Sequence, residues 1–232
     1  MRRLRGALVT DYDRTLTDGE LNVYPPALDA LRELQEKKGT TVIIATGRGM
    51  PFVKAWGGIL SFSDAVVAED GAVIWLPKSA RVEVLGDGSR TRAAFRAYGM
   101  PCDEGEVIVS VKKTAERRAR EIVEREGLEV DFHYNFDSVM LLPRGVDKVA
   151  GVRAALGALH VQGHDLICIG DGENDLALFD MGTLKVATEN AVEALKEKAD
   201  IVCDRPYAEG VARFIDSLLE DGPVQAKPQE SV

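Results

Sequence analysis

The sequence predicts an α/β fold: a doubly wound parallel sheet of Rossmann-like type carrying an inserted α+β cap domain. Three observations predict it. Short apolar runs recur along the chain and end in polar residues, helical stretches separate them, and the alternation breaks only between about residues 79 and 145. Alternating strand and helix call for a parallel sheet covered by helices, whose buried strands read as continuous apolar runs.

The first run, Gly6-Ala7-Leu8-Val9-Thr10, ends in Asp11-Tyr12-Asp13. Pro25 and Pro26 then open a helix that keeps Leu28, Leu31 and Leu34 on one face, since proline at the first helical positions gives up only an unbonded N–H. Thr41 to Ala45 ends in Thr46-Gly47-Arg48, and Ala65 to Ala68 ends in Glu69-Asp70-Gly71. The insertion follows, with strand-like runs at Arg81 to Leu85 and Val107 to Val111, a charged helix around Thr114 to Arg125, and further runs at Leu128 to Tyr134 and Ser138 to Pro143. The core pattern resumes at Asp147 with a helix carrying Val149, Val152 and Leu156, then Leu166 to Ile169 ending in Gly170-Asp171-Gly172. These signals assign 1–78 and 146–221 to the core and 79–145 to the cap. The polar, proline-containing stretch 222–232 is expected to be a disordered tail. No internal repeat is present.

A net charge of −9 argues against nucleic-acid binding, which draws affinity from Lys and Arg on phosphates. It leaves open a small anionic ligand, because a bound cation and a few basic side chains reverse the field locally. No apolar run approaches the roughly eighteen residues that span a bilayer, so no membrane partner and a cytoplasmic location are expected. Cys102, Cys168 and Cys203 have neither metal-site nor disulfide spacing and read as small buried or half-buried thiols. Nothing in the pattern demands more than a monomer or homodimer.

In a sheet of this class the ligand crevice lies beyond the carboxyl ends of the strands, where the polar tails of the runs converge. Their chemistry suits phosphate-ester hydrolysis, which needs a nucleophile, neutralisation of the phosphoryl oxygens and an acid for the leaving alcohol. Asp11 is the candidate nucleophile and Asp13 the candidate acid. Asp171 and Asp175, in Asp171-Gly172-Glu173-Asn174-Asp175, supply with Asp11 the hard oxygen ligands that Mg2+ takes. That loop lacks the spacing and terminal Glu of an EF-hand, which counts against calcium. Thr46 and Gly47 form a modest anion cradle, and Lys148 is a compact cation able to bridge nucleophile and phosphate.

Taken together, Asp11-Tyr12-Asp13-Arg14-Thr15, Thr46-Gly47-Arg48, Lys148 and Gly170-Asp171-Gly172-Glu173-Asn174-Asp175 resemble, in order, the four signatures of the haloacid dehalogenase superfamily. The resemblance spans the chain apart from the tail. It implies a phosphatase in which Asp11 forms an aspartyl phosphate. Asp13 is then general acid and base and lends its backbone carbonyl to Mg2+, Thr46 and Lys148 hold the phosphoryl group, Asp171 and Asp175 hold the metal, and Asn174 orients the phosphate or the metal's outer shell. The position of the insertion is that of a type-2 cap. Together with Ala68-Glu69-Asp70-Gly71-Ala72 and Arg205-Pro206-Tyr207-Ala208-Glu209-Gly210, it is similar to archaeal phosphoglycolate phosphatases. A small phosphorylated metabolite, phosphoglycolate first, is the implied substrate. A sugar phosphate or phosphoglycerate derivative, a phosphomutase reaction, and a degenerate member that binds a phosphorylated ligand without turnover are the alternatives. One residue departs from the pattern: Arg14 stands where the family usually has Gly.

Other features receive plain readings. Lys112, Lys113, Arg117, Arg118 and Arg120 are interleaved with Glu116, Glu121, Glu124 and Glu126, the mark of a salt-bridged solvent face. His133, His160 and His164 have no metal-ligand spacing; His133-Tyr134-Asn135 admits a place on the cap surface facing the crevice, but a strand histidine packed beside aromatic neighbours is the plainer reading. Trp56 and Trp75 read as core or interface side chains.

Overall fold

The structure, a computed structural model, describes residues 6–161 and 165–220. The expected tail at 222–232 lies outside the described residues, as does His164. In chain order the strands are β1 (Ala7–Asp11), β2 (Thr41–Ala45), β3 (Ala65–Ala68), β4 (Val73–Leu76), β5 (Arg81–Val84), β6 (Asp103–Glu104), β7 (Val109–Lys112), β8 (Val130–Asn135), β9 (Ser138–Pro143), β10 (Leu166–Gly170), β11 (Leu184–Ala187) and β12 (Ile201–Val202). The helices are α1 (Pro25–Lys38), α2 (Met50–Ala55), α3 (Gly57–Leu60), α4 (Ser89–Ala97), α5 (Glu116–Glu126), α6 (Lys148–Ala158), α7 (Leu176–Phe179), α8 (Glu193–Lys198) and α9 (Tyr207–Leu219). Two compact units account for them. Among the described residues, one comprises 6–44, 62–64, 156–161 and 165–220, the other 45–61 and 65–155.

The first unit has the predicted α/β, Rossmann-like character. Its strands run in the order β12, β11, β10, β1, β2, and β1 pairs in parallel with β10, Ala7 opposite Leu166 and Thr10 opposite Ile169. The pairs β10–β11 and β11–β12 are parallel too. From β1 the chain moves to one side for β2, then returns on the other side for β10, β11 and β12. The order therefore reverses between β1 and β10, and a ligand crevice opens at such a switch point beyond the carboxyl ends.

All five residues of β1 are buried. Helix α1 starts on the two prolines and stops at Gly39, whose φ of 69° suits glycine and whose N–H donates to the Gln35 carbonyl at 3.0 Å. It buries Ala27, Leu28, Ala30, Leu31 and Leu34 and packs against α9, which buries Val211, Phe214, Ile215 and Leu218. Burying side chains of this size contributes about 1.5–3 kcal/mol each.

The second unit holds an antiparallel set, β3–β4–β5, and a four-stranded antiparallel sheet in the order β6, β7, β9, β8. The connection from β3 to β4 is a single turn at Glu69–Gly71, too short for the crossover that parallel strands require. On one face of the four-stranded sheet Val109, Val111, Val139 and Leu141 pack with Phe95 of α4 and with Ala119 and Ile122 of α5. Phe132 and Tyr134 join this face. Alternation along β8 turns His133 and Asn135 to the other.

The charged run on α5 is the salt-bridged face expected. Arg120 Nε lies 2.9 Å from Glu116 Oε1, and Arg117 pairs with Glu121 at 3.6 Å. Trp56, expected in a core or interface, is 36% exposed and lies beside Phe52 with ring centroids 6.0 Å apart. The short helices α2 and α3 do not enclose it. No helix among the described residues is long and apolar enough to cross a membrane.

Candidate active site

At the switch point Thr10 is opposite Ile169, so Asp11 stands one residue beyond that pair and Asp171 two. The 3-10 turn at Glu173–Asp175 brings the chain back, and ligand oxygens of Asp11, Asp171 and Asp175 lie within 4.8 Å of one another. All three residues are buried, with exposures of 6%, 2% and 0%. Three carboxylates this close repel one another and have lost their hydration. A hard divalent cation relieves both costs, and an all-oxygen donor set is the set Mg2+ takes. The residues therefore fit a magnesium site.

The neighbours of the cluster fix its geometry. Both Asp171 N–H and Gly172 N–H donate to Asp175 Oδ2 at 3.1 Å. A Cβ on residue 170 would lie 2.5 Å from that carboxylate, so this close return needs Gly170. Thr15 Oγ1 donates to Asp171 Oδ1 at 3.1 Å, and Asn190 Nδ2 donates to Asp171 Oδ2 at 3.2 Å. Partners of this kind orient ligating carboxylates. Asn190 Nδ2 also reaches the Arg14 carbonyl at 3.3 Å, while Asn190 Oδ1 accepts the Tyr207 N–H.

Arg14 has φ 60°, the left-handed conformation in which glycine is unstrained. The loop thus keeps the shape that glycine would give it, and the side chain found in glycine's place puts Nε 3.6 Å from Asp171 Oδ2.

Of the other predicted residues, Asp13 is half-buried in the turn after β1 and Asn174 is half-buried in the 3-10 turn, both in the first unit. Thr46, Gly47 and Lys148 belong to the second. Thr46, the residue after β2, is buried at 1% exposure. Its N–H donates to the Val67 carbonyl at 2.8 Å, its carbonyl accepts the Asp70 N–H at 3.0 Å, and its hydroxyl oxygen accepts the Arg48 N–H at 3.1 Å. Lys148, the first residue of α6, is only 2% exposed, which sets aside a solvated helix lysine. A Cβ on Gly71 would overlap the Asp147 carbonyl and come within 2.9 Å of the Lys148 nitrogen. Residues 70 and 71 therefore connect the Thr46 backbone with the start of α6.

Two features escaped the sequence reading. Asn190 lies in Thr188-Glu189-Asn190, the polar tail of the apolar run at β11, and the signal that found Asp171 would have found it. Glu69 is fully buried, and its carboxylate accepts the N–H groups of Glu106, Val107 and Ile108 at 2.7, 2.8 and 3.1 Å. Only the fold reveals that role.

Residues 8–87 and 105–215 match the family described as haloacid dehalogenase-like hydrolase. The chain is 30% identical over 220 residues to a phosphoglycolate phosphatase of Haloarcula marismortui, covering 88% of this chain and 92% of that protein. It is 30% identical to a phosphoglycolate phosphatase of Methanothermobacter thermautotrophicus, covering 92% and 98%. Among solved structures, that of Thermoplasma acidophilum 0175 superposes with a TM-score of 0.77 at 22% identity, covering 92% of this chain and 97% of the other.

Proposed function

Because the chain belongs to the haloacid dehalogenase-like hydrolases and is a phosphoric monoester hydrolase, we propose that it removes phosphate from a small metabolite, phosphoglycolate first, with Mg2+ and a covalent aspartyl phosphate on Asp11. The observation that carries this reading is the buried group Asp11, Asp171 and Asp175 at the switch point. The phosphoglycolate phosphatases matched over nearly their whole length support the substrate.

In this reading one oxygen of Asp11 attacks phosphorus and Asp13 protonates the departing alkoxide. Asp13 then takes a proton from the water that hydrolyses the aspartyl phosphate. Thr46, Gly47 and Lys148 bind phosphoryl oxygens, and Asn174 orients the group. Asp171, Asp175, Asp11 and the Asp13 carbonyl would hold Mg2+, which when bound supplies charge neutralisation for the phosphoryl oxygens. Residues 79–145 act as a cap that excludes bulk water and meets the organic part of the substrate. The reaction takes place in the cytoplasm.

The test is a panel of phosphoglycolate, 2- and 3-phosphoglycerate, hexose phosphates and nucleotides, each assayed with Mg2+ and with EDTA. Phosphoglycolate should give the highest kcat/KM and EDTA should remove activity that Mg2+ restores. A higher kcat/KM for a hexose phosphate overturns the substrate, and activity that survives EDTA overturns the metal. Phosphate returned to a sugar rather than released to water would identify a mutase.

A further inference from the structure

Within the second unit, the face of the four-stranded sheet turned away from α4 and α5 carries, among its polar side chains, two on β8 that the phosphoryl chemistry does not use. His133 and Asn135 alternate along β8, and their cross-strand partners on β9 are Met140 and Ser138. Directly paired residues share a face, so His133, Asn135 and Met140 form one surface. Its position in the unit is fixed at two points. His133 Nδ1 lies 3.8 Å from Asp70 Oδ2, and Met140 Sδ lies 3.5 Å from where a Cβ on Gly47 would stand. Asp70 is in turn bonded through its N–H to the Thr46 carbonyl at 3.0 Å. The surface therefore adjoins the loop that binds phosphate in the proposed reading.

Two atoms on this surface have an unmet requirement. His133 Nε2 and Asn135 Oδ1 are buried from solvent and have no hydrogen-bond partner among the described residues. Buried polar atoms without partners cost roughly 1–3 kcal/mol each, and a bound group that completes them is one account of their persistence. The backbone beneath is held at similar expense: Glu69 and Asp70 are consecutive non-glycine residues with φ of 53° and 52°, and strain of this kind concentrates at ligand clamps. Asp70, 1% exposed, places a carboxylate on the Nδ1 side of the imidazole, at a distance longer than a hydrogen bond. Nε2 is thereby presented on the opposite side of the ring. An imidazole nitrogen beside a primary amide supplies donors and acceptors together, the set that reads a carboxylate or hydroxyl.

We propose that His133 and Asn135, with Asp70 orienting His133, bind the oxygen-bearing, non-phosphate end of a short phosphate ester and so set substrate choice. The inference rests on the phosphatase reading above. It narrows the ligand to one whose carboxylate or hydroxyl reaches these atoms while its phosphate is held at the Thr46 loop. Asp70 is a positioning residue in this account, and Met140 is the apolar floor beside the two polar groups.

The test compares phosphoglycolate with inorganic phosphate, which lacks the organic end, by titration calorimetry on Asp11→Asn enzyme with Mg2+. Adding His133→Ala or Asn135→Ala should weaken phosphoglycolate relative to phosphate by about tenfold, the loss of one buried hydrogen bond. In the enzyme that retains Asp11, the same substitutions should raise KM for phosphoglycolate more than they lower kcat. Asn135→Ser, which is smaller but still polar, guards against a folding defect, and thermal melts confirm that each variant is folded. A binding ratio unchanged within twofold in folded variants overturns the proposal, as does an equal loss for both ligands. If the parent enzyme hydrolyses no ester, the functional reading fails, while the binding ratio still decides the recognition role.

Discussion

Arg14 Nε lies 3.6 Å from Asp171 Oδ2, so a guanidinium stands beside a buried carboxylate of the proposed metal site. Part of the charge that would attract a cation is already balanced. Arg14 is also strained at φ 60°, where glycine is not. Arg14→Gly should therefore bind Mg2+ several-fold more tightly, by titration calorimetry on the apoprotein. The pair is one-third exposed on the arginine side, which screens the effect and keeps it to this scale. Unchanged or weaker Mg2+ binding would show that the pair does not modulate the site.

Asp11→Asn separates catalysis from stability. Losing the proposed nucleophile should reduce turnover of p-nitrophenyl phosphate by ~10³-fold or more, with the far-ultraviolet circular dichroism preserved. The same substitution removes one of three carboxylates whose ligand oxygens lie within 4.8 Å, relieving repulsion in the metal-free protein. The variant should melt above the parent in EDTA, and Mg2+ should raise its melting temperature less than it raises the parent's. Full retained activity would remove Asp11 from the nucleophile's role.

Much of this site was legible in the sequence because its parts are local. An apolar run that ends in an aspartate announces a buried strand delivering a carboxylate, and this holds for Asp11 and for Asp171. The α/β rhythm puts the carboxyl ends of these strands on one side of the sheet, but the pairing of β1 with β10 appears only in the fold. What escaped depends on contacts between distant residues. Thr15 and Asn190 meet on Asp171 from opposite directions along the chain; the polar tail after β11 marks Asn190 as a crevice residue, but not the carboxylate it meets. For His133-Tyr134-Asn135 the sequence admits both a packed strand and a crevice-facing surface, and Tyr134 and Phe132 do pack. The alternation that sends them to the helices sends His133 the other way, which becomes visible only once the strand register is known. The antiparallel turn from β3 to β4 was obscured for a different reason: each strand is only four residues long, too short for a period to establish itself.

Glu69 joins the Glu69–Gly71 turn to the segment Glu106 to Ile108 through three backbone hydrogen bonds. Glu69→Ala strips the partner from three N–H groups at once, and the expected loss is about 3 kcal/mol or more, read from the urea midpoint. Gly105→Ala attacks the same clamp from the other side, since its Cβ would lie 2.5 Å from the Glu69 carboxylate. Its cost should be about 1–3 kcal/mol. The two losses should not add in the double variant, because the alanine at 69 removes what the alanine at 105 would strike. Additive losses would mean that Gly105 is required for another reason.

Burial pushes the Cys203 thiol from its ordinary value of 9.0 up to about 12, with Asp204 adding to the effect. Below pH 9 the folded and unfolded chains both keep the proton, and the thiol makes no demand on stability. Between pH 9 and about 12 the unfolded chain ionises while the folded one does not, so stability falls as pH rises, by about 1.4 kcal/mol per pH unit for this one group. Cys203→Ala removes the titration but leaves the other alkaline groups in place. Its stability relative to the parent should therefore be constant from pH 7 to 8.5 and improve steadily above pH 9, measured by urea denaturation across that range. Cys168, also pushed up to about 12 by burial, should behave alike. A parent-to-variant difference that stays flat to pH 11 would mean that water reaches the Cys203 thiol in the folded protein.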